Sequence, residues 1–144
     1  MLKNAAANSK VRWLAKTLEP AKALRAAGIW GSSDALIAAA VQRASRRTIL
    51  IVTGHLEQAD ETADDVEVLT GSPAQLFPAW EVDIATDHLN SELTGERVRI
   101  CNLLTQPPEA RDEEVRVIVA PVLALLQPVP TPDALAGGRL TLKV

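Results

Sequence analysis

A glycine–serine turn near residue 31 holds the residue types that come nearest to a phosphate-binding loop. It consists of Gly31, Ser32, Ser33 and Asp34, and an apolar stretch with helical periodicity follows it. A working loop reads G-x-x-x-x-G-K-[ST], because backbone N–H groups hold the phosphate and the lysine reaches the outer phosphates. This turn has no lysine, and Asp34 stands close to the position at which the motif has it. We therefore expect a degenerate phosphate loop that binds no nucleotide.

The carboxylates, histidines and cysteine are not spaced for catalysis or metal binding. Five acidic residues form the outer face of one predicted helix: Glu57, Asp60, Glu61, Asp64 and Asp65. Such a charge run is typical of a solvated helix face. His88 has Asp83 and Asp87 near it without regular ligand spacing, and a single cysteine, Cys101, excludes an internal disulfide and a cysteine-based zinc site. We predict no catalytic residue, no metal site and no cofactor.

An aromatic, proline-containing segment and one arginine beyond it form the next candidate group. Phe77, Pro78, Trp80 and Glu81 belong to the segment, and Arg97 lies on the apolar face of a predicted helix. The arginine stem can lie along apolar surface, or its head can pair with a carboxylate such as Glu81. Two interpretations of the aromatic turn stay open, namely core packing and an exposed contact for a partner protein.

Helical and extended patterns alternate along the chain. Helices are predicted at about 34–44, 56–64 and 90–104, the first capped by the side chain of Ser32 or Ser33 and the last by Asn90 or Ser91. Strands are predicted at 48–53, 66–69 and 115–120, with edge strands at 29–30 and 139–144. The unbroken apolar run of the first strand is typical of a parallel strand covered on both faces. The pattern predicts an α/β fold with a parallel sheet between helices.

Composition and charge limit the class of protein. The 144 residues fit an N-terminal helical segment (1–27), frayed over its first ten residues, and one α/β domain (28–144). The net charge of −3 gives no broad basic face for nucleic acid. A local basic patch at Arg43, Arg46 and Arg47 stays open as an alternative, although these residues are more typical of a solvated helix end. The chain has no apolar run of membrane-spanning length and no signal-peptide core. With its lone cysteine it is predicted to be cytoplasmic, with no membrane partner.

Several stretches between Gly28 and Val144 resemble the N-terminal module of bacterial transcription-repair coupling factors, which is itself similar to the nucleotide-binding half of the excinuclease protein UvrB. Leu76–Glu81 is similar to the family's FPDWE signature, and Val117–Leu126 is similar to its LIVPVNTLMQ stretch. The other matching stretches are the turn and helix start at Gly31–Leu36, the strand at Ile49–Val52 and the pair Glu96-Arg97. The segment from Val82 to His88 departs from the family, which continues there with a proline, a tyrosine and an aspartate.

The resemblance implies a helicase-like (RecA-like), three-layer fold with a degenerate phosphate loop. It also implies a non-catalytic scaffold for transcription-coupled DNA repair that contacts other domains of the same protein. The repair protein UvrA would be met mainly through a following domain, and RNA polymerase and DNA only through the full-length protein. Because the sequence ends inside an apparent strand, we expect it to be part of a longer chain. The family's ATP-dependent DNA translocase motor lies elsewhere in that chain.

Two other functions remain as alternatives. One is a nucleotide-binding ATPase or helicase fragment with an unusual phosphate loop, against which the missing lysine and Asp34 argue. The other is an unrelated flavodoxin-like domain that holds a small ligand at the carboxyl ends of its strands. Convergent polar groups at Gly31–Ser33, Thr53-Gly54 and Pro121 would favour this second alternative.

Overall fold

A computed structural model describes residues 2–18, 23–25, 27–80, 82–83, 88–106 and 117–137. The helices are α1 (Leu2–Ala7), α2 (Ser9–Thr17), α3 (Ser33–Ser45), α4 (Leu56–Thr70), α5 (Ser91–Thr105), α6 (Val122–Leu126) and α7 (Pro132–Gly137). The strands are β1 (Ile49–Thr53), β2 (Gln75–Leu76), β3 (Val82–Asp83), β4 (His88–Leu89) and β5 (Val117–Pro121). Within these residues no helix is long and apolar enough to cross a membrane.

A parallel sheet with the strand order β1-β5-β2 forms the centre of the molecule. Strand β5 pairs with β1 from Ile49↔Val117 to Thr53↔Pro121, and with β2 at Gln75↔Ile118 and Leu76↔Val119. All five residues of β5 are buried, as expected for a central parallel strand. Strands β3 and β4 form a separate antiparallel pair. The predicted α/β class with a parallel sheet is confirmed, and the predicted edge strand at 139–144 lies outside the described residues.

Helices cover both faces of the central strand. On one face, Ala35 of α3 and Ala59 and Val66 of α4 cluster with Val117 and Val119 of β5. On the other face, the partners of β5 are Ile118 and Ala120, which cluster with Phe77, Ala79, Ile100 and Ala124. The small side chains of α3 and α4 allow these helices to lie close to the sheet. The segment 77–79 thereby belongs to the second core cluster together with α5.

The strand predicted at 66–69 is wrong, because these residues continue α4 to Thr70. The alternation of Val66 and Val68 resembles a strand pattern, yet Val66 is 1% exposed and Val68 is 84% exposed, on different sides of a helix. The buried residues of α4 are Ala59, Thr62 and Val66, a spacing of three and four that is helical. Gly71 ends the helix with φ +76°, a left-handed conformation that favours glycine. Packing of one helical stripe therefore outweighs the β propensity of two valines.

The N-terminal prediction is also corrected. The first ten residues were expected to be frayed, but α1 and α2 lie there and both pack against α3. Asn8 separates them, and its side-chain oxygen accepts a hydrogen bond from the N–H of Lys10 at 2.9 Å. The predicted edge strand at 29–30 does not form, and Trp30 is 83% exposed. An asparagine cap and docking on α3 thus give order to a segment that has little apolar character of its own.

Strand β1 is not covered on both faces, contrary to the expectation from its apolar run. Leu50 and Val52 are each 50% exposed. Their register with Ile118 and Ala120 puts them on the same face of the sheet as those two core residues. The core cluster on that face includes Ile118 and Ala120 but neither residue of β1. In the described part of the chain, this edge of the sheet therefore presents apolar side chains to solvent.

Candidate functional site

The glycine–serine turn is exposed and open. Gly31 has φ +53°, and the N–H of Ser33 donates to the carbonyl of Trp30 at 3.2 Å to close the turn. Ser32 is the N-cap of α3, but its hydroxyl makes no capping hydrogen bond, so the predicted hydroxyl cap is wrong. The turn therefore begins the helix through its backbone geometry.

Asp34 takes up an N–H group that a phosphate would need. Its Oδ1 accepts a hydrogen bond from the N–H of Ala35 at 2.7 Å, in the first turn of α3. The first N–H groups of a helix are the ones a phosphate loop presents to its ligand. The carboxylate supplies its own negative charge at this helix end, where such charge is favourable. A second anion at the same place would be repelled.

The polar groups after β1 also bond within the chain. The hydroxyl of Thr53 donates to the carbonyl of His55 at 3.0 Å, and the N–H of Gly54 donates to Oε1 of Gln58 at 3.2 Å. These bonds shape the start of α4. In a flavodoxin-like ligand site, the Thr53 hydroxyl and the Gly54 N–H would instead point toward the ligand.

Helix α5 carries the candidate arginine into the core. Asn90 caps the helix, as predicted, with its Oδ1 accepting from the N–H of Glu92 at 2.9 Å and of Leu93 at 3.4 Å. Arg97 and Ile100 are the buried residues of this helix, three positions apart on one face. Arg97 is 1% exposed, which is rare for a charged side chain.

Backbone carbonyls from three positions surround the Arg97 guanidinium. NH1 donates to the carbonyl of Pro78 at 2.6 Å and to that of Ala124 at 3.3 Å. NH2 donates to the carbonyl of Ala124 at 3.2 Å and to that of Pro128 at 3.2 Å. The arginine thereby joins the aromatic segment to α6 and to the chain that follows it. Glu81, the carboxylate considered from sequence, lies outside the described residues.

Two aromatic rings complete the surroundings of this charge. The guanidinium carbon lies 4.4 Å from the ring centroid of Phe77 and 4.4 Å from that of Trp80. The negative faces of aromatic rings stabilise a cation most strongly where water is excluded. Phe77 is 6% exposed, and Pro78 and Ala79 are also buried. The segment 77–79 is therefore part of the core, with Trp80 half-buried at its end.

Burial sets the electrostatics of the cluster. It lowers the pKa of Arg97 from the usual value, although a guanidinium remains charged at any physiological pH. Burial raises the pKa of the Cys101 thiol, and the nearby positive charge of Arg97 only partly opposes this rise. A thiol with a raised pKa is a poor nucleophile at neutral pH. In the described part of the chain, the contacts of Arg97 join the aromatic segment to α5, to α6 and to the residues after α6.

Sequence reasoning missed Gln127, which holds the aromatic segment from the other side. Its Oε1 accepts from the N–H of Trp80 at 2.7 Å, and its Nε2 donates to the carbonyl of Trp80 at 3.0 Å. The amide thus bonds to Trp80 much as a neighbouring strand would. The one signal in the sequence is a lone glutamine between an apolar helix and Pro128. Trp80 Nε1 is buried without a hydrogen-bond partner in the described structure.

The acidic face of α4 has the solvent exposure of an ordinary helix surface. Glu57, Asp60, Glu61 and Asp64 are exposed, and Asp65 is half-buried. Among the described residues, no group of three histidine, cysteine or acidic side chains is arranged to hold a metal ion. The strand residues Asp83 and His88 belong to the β3–β4 pair, and Asp87 lies outside the described residues.

Comparison with known proteins gives one informative similarity. No protein-family model and no solved structure matches the chain. Over 122 residues, or 82% of its length, the chain is 26% identical to the transcription-repair-coupling factor of Bacillus subtilis (strain 168). It spans about 10% of the length of that relative. The chain is thus similar to one region of a transcription-repair-coupling factor, in agreement with the resemblance of its motifs.

Proposed function

We propose that this chain is a non-catalytic, helicase-like scaffold module of a transcription-repair coupling factor, acting in transcription-coupled nucleotide excision repair. The similarity to the Bacillus subtilis factor supports the family. The parallel β1-β5-β2 sheet with helices on both faces is compatible with a RecA-like domain. The module would be cytoplasmic and would act as one part of a longer protein.

The contact between Asp34 and the N–H of Ala35 is the observation that carries the non-catalytic assignment. An ATPase needs free N–H groups and a lysine at this helix start, since both stabilise the phosphates. Here a carboxylate occupies the site, and no lysine lies between Gly28 and Ala44. The module therefore keeps the turn as a structural element.

The apolar edge of the sheet supports a scaffold role. Leu50 and Val52 of β1 are each 50% exposed, and because they are two positions apart they lie on the same face of the strand and form an apolar surface there. We assign this face to contact with another domain of the same protein. UvrA would be bound mainly through a following domain, and RNA polymerase and DNA through the full-length protein.

Calorimetry with ATP and Mg²⁺ at millimolar concentration tests the non-catalytic assignment. We expect no saturable heat from this chain, and none from Asp34→Asn, which removes the negative charge but supplies no lysine. Saturable binding by the unmodified chain would replace the scaffold proposal with the ATPase alternative.

A second experiment tests the domain contact. The remaining domains of a transcription-repair coupling factor are added in trans to the chain carrying Leu50→Asp and Val52→Asp, and association is measured by calorimetry. We expect at least tenfold weaker association than for the unmodified chain. The matched control is Val68→Asp, which alters an apolar residue that is 84% exposed on the outer side of α4. Equal binding by both variants would contradict the assignment of the β1 face.

A further inference from the structure

A basic cleft of about 560 Å³ lies between the two N-terminal helices and the end of α3. Four cationic side chains line it: Lys3 from α1, Arg12 and Lys16 from α2, and Arg43 from α3. All four are exposed. The other described residues of the lining are alanines and one serine, Ser45. Two consecutive N-terminal helices and the end of α3, which lies more distant in sequence, thus bring their positive charges to one concave surface.

A favourable interaction with the helix dipole explains the positions of only two of these four cationic residues. Lys16 and Arg43 lie in the last turns of α2 and α3, where cations are favourable because the helix dipole is negative there. Lys3 lies in the first turn of α1, where a positive charge is unfavourable, and Arg12 lies in the middle of α2, where the dipole gives a cation no advantage. The convergence of all four therefore needs a reason other than the helices themselves.

The cleft lacks a neutralising carboxylate in the described structure. Residues 1–47 contain nine lysines and arginines but only two acidic residues, Glu19 and Asp34. Residues 1–47 thus have a formal charge of +7. Residues 48–144 have a formal charge of −10, which gives the net charge of −3 for the whole chain. Asp34 lies at the far end of α3, about 13 Å along the axis from Arg43 at 1.5 Å per residue. Glu19 lies outside the described residues. The chain is thus strongly polarised, with its positive pole at the cleft.

The lining identifies the kind of ligand. Protein interfaces depend on aromatic and large apolar anchors, and the described residues that line this cleft include none. Long cationic side chains around a floor of small residues are suited to phosphate oxygens, which lysine and arginine contact without regard to base sequence. A nucleic-acid strand presents phosphates in series along one path, which an elongated set of cations from three helices can follow. We propose that the cleft binds the phosphodiester backbone of a nucleic acid without regard to base sequence. This proposal does not depend on the function proposed above.

Fluorescence anisotropy with a labelled DNA oligonucleotide, single- or double-stranded, tests this site. If each of the four cations neutralises one phosphate of a duplex, the affinity should fall on the order of 100-fold between 50 and 200 mM salt. The double variant Lys3→Gln, Arg12→Gln should lower the slope of log affinity against log salt by about 2. Both side chains are exposed, so these changes should leave the fold intact, as circular dichroism would check.

The matched control is Lys10→Gln, Arg25→Gln, which removes the same charge from exposed residues that do not line the cleft. We expect the control to keep the salt slope of the unmodified chain. Equal weakening by both double variants would mean diffuse attraction and would overturn the site. The absence of DNA binding at 50 mM salt would also overturn it. If the chain binds anionic lipid vesicles but not DNA, the cleft is a membrane site and the proposal is wrong. If the chain self-associates and the cleft variant abolishes this, the cleft binds a second copy of the chain and the proposal is also wrong.

Discussion

Replacement of Arg97 by methionine should destabilise the protein more than any surface change on the same helix. The variant removes the donor of four hydrogen bonds to the carbonyls of Pro78, Ala124 and Pro128. Pro78 and Ala124 are buried, so each carbonyl left without a donor costs about 1 to 3 kcal/mol, while water can reach exposed Pro128.

Two further effects enter the balance. The lost contacts of the guanidinium with the two aromatic rings add about 1 to 2 kcal/mol in a site without water. Relief of the desolvation of a buried charge offsets part of the loss. We expect a net loss of about 3 to 5 kcal/mol in the free energy of unfolding, a large part of the roughly 5 to 15 kcal/mol that folded domains have.

Urea unfolding followed by circular dichroism at pH 7 measures this loss. Arg99→Met is the matched control, because Arg99 lies two residues further along α5, is exposed and pairs with Glu96. A surface ion pair contributes about 0 to 1 kcal/mol, so the control should cost less than 1 kcal/mol. If Arg97→Met fails to fold, Arg97→Lys keeps the charge without the planar fork and should still lose more than about 1 kcal/mol. A loss for either Arg97 variant no larger than that of Arg99→Met would refute the reasoning.

Three further predictions concern other contacts. Gln127→Leu removes both hydrogen bonds to the Trp80 backbone and should cost about 1 to 3 kcal/mol in urea unfolding; a neutral effect would mean that water replaces the amide. Gly71→Ala should cost about 1 to 2 kcal/mol through its φ of +76° alone, since an added Cβ meets no atom within 4 Å; unchanged thermal stability would contradict a strained helix end. A hydrogen bond from Arg99 lowers the pKa of Glu96, so the stabilisation is present at neutral pH and is lost as the pH falls through that lowered value. Glu96→Gln should therefore cost a few tenths of a kcal/mol at pH 7 and less as the pH falls through the lowered pKa, and a cost that does not change with pH would exclude the ion pair as the cause.

Local signals were sufficient for the three long helices α3, α4 and α5 and for the paired strands β1 and β5. The apolar stripe that predicted a helix at 34–44 lies within α3, and the asparagine that predicted the start of α5 caps it. The apolar runs at 48–53 and 115–120 correspond to β1 and β5. Each of these signals comes from residues a few positions apart, which interact in the same way in any fold. Residues 66–69 fit both a strand pattern and a helix pattern. The local pattern predicted a strand there, but packing of one face of α4 against the sheet favours the helix.

Local sequence patterns did not predict how deeply each helix or strand is buried. The runs of β1 and β5 are similarly apolar, yet β5 is buried on both faces and β1 is half exposed, because the pairing order puts β5 in the centre. No sequence pattern specifies that order. The aromatic segment was recognised as a candidate for packing or for contact, and burial of Phe77 comes from its clustering with α5 and β5.

The sequence by itself determined the parallel α/β class, the starts of α3, α4 and α5 and the lack of a lysine in the phosphate-loop turn, since these depend on residue type and short spacing. Only the tertiary structure decided what holds Arg97, because its carbonyl partners lie 19, 27 and 31 residues away along the chain. The same is true of the basic cleft, which Lys3 of α1 and Arg43 of α3 both line. A charge is a property of a residue, but its solvation and its neighbours are properties of the fold, and those set what the charge can bind.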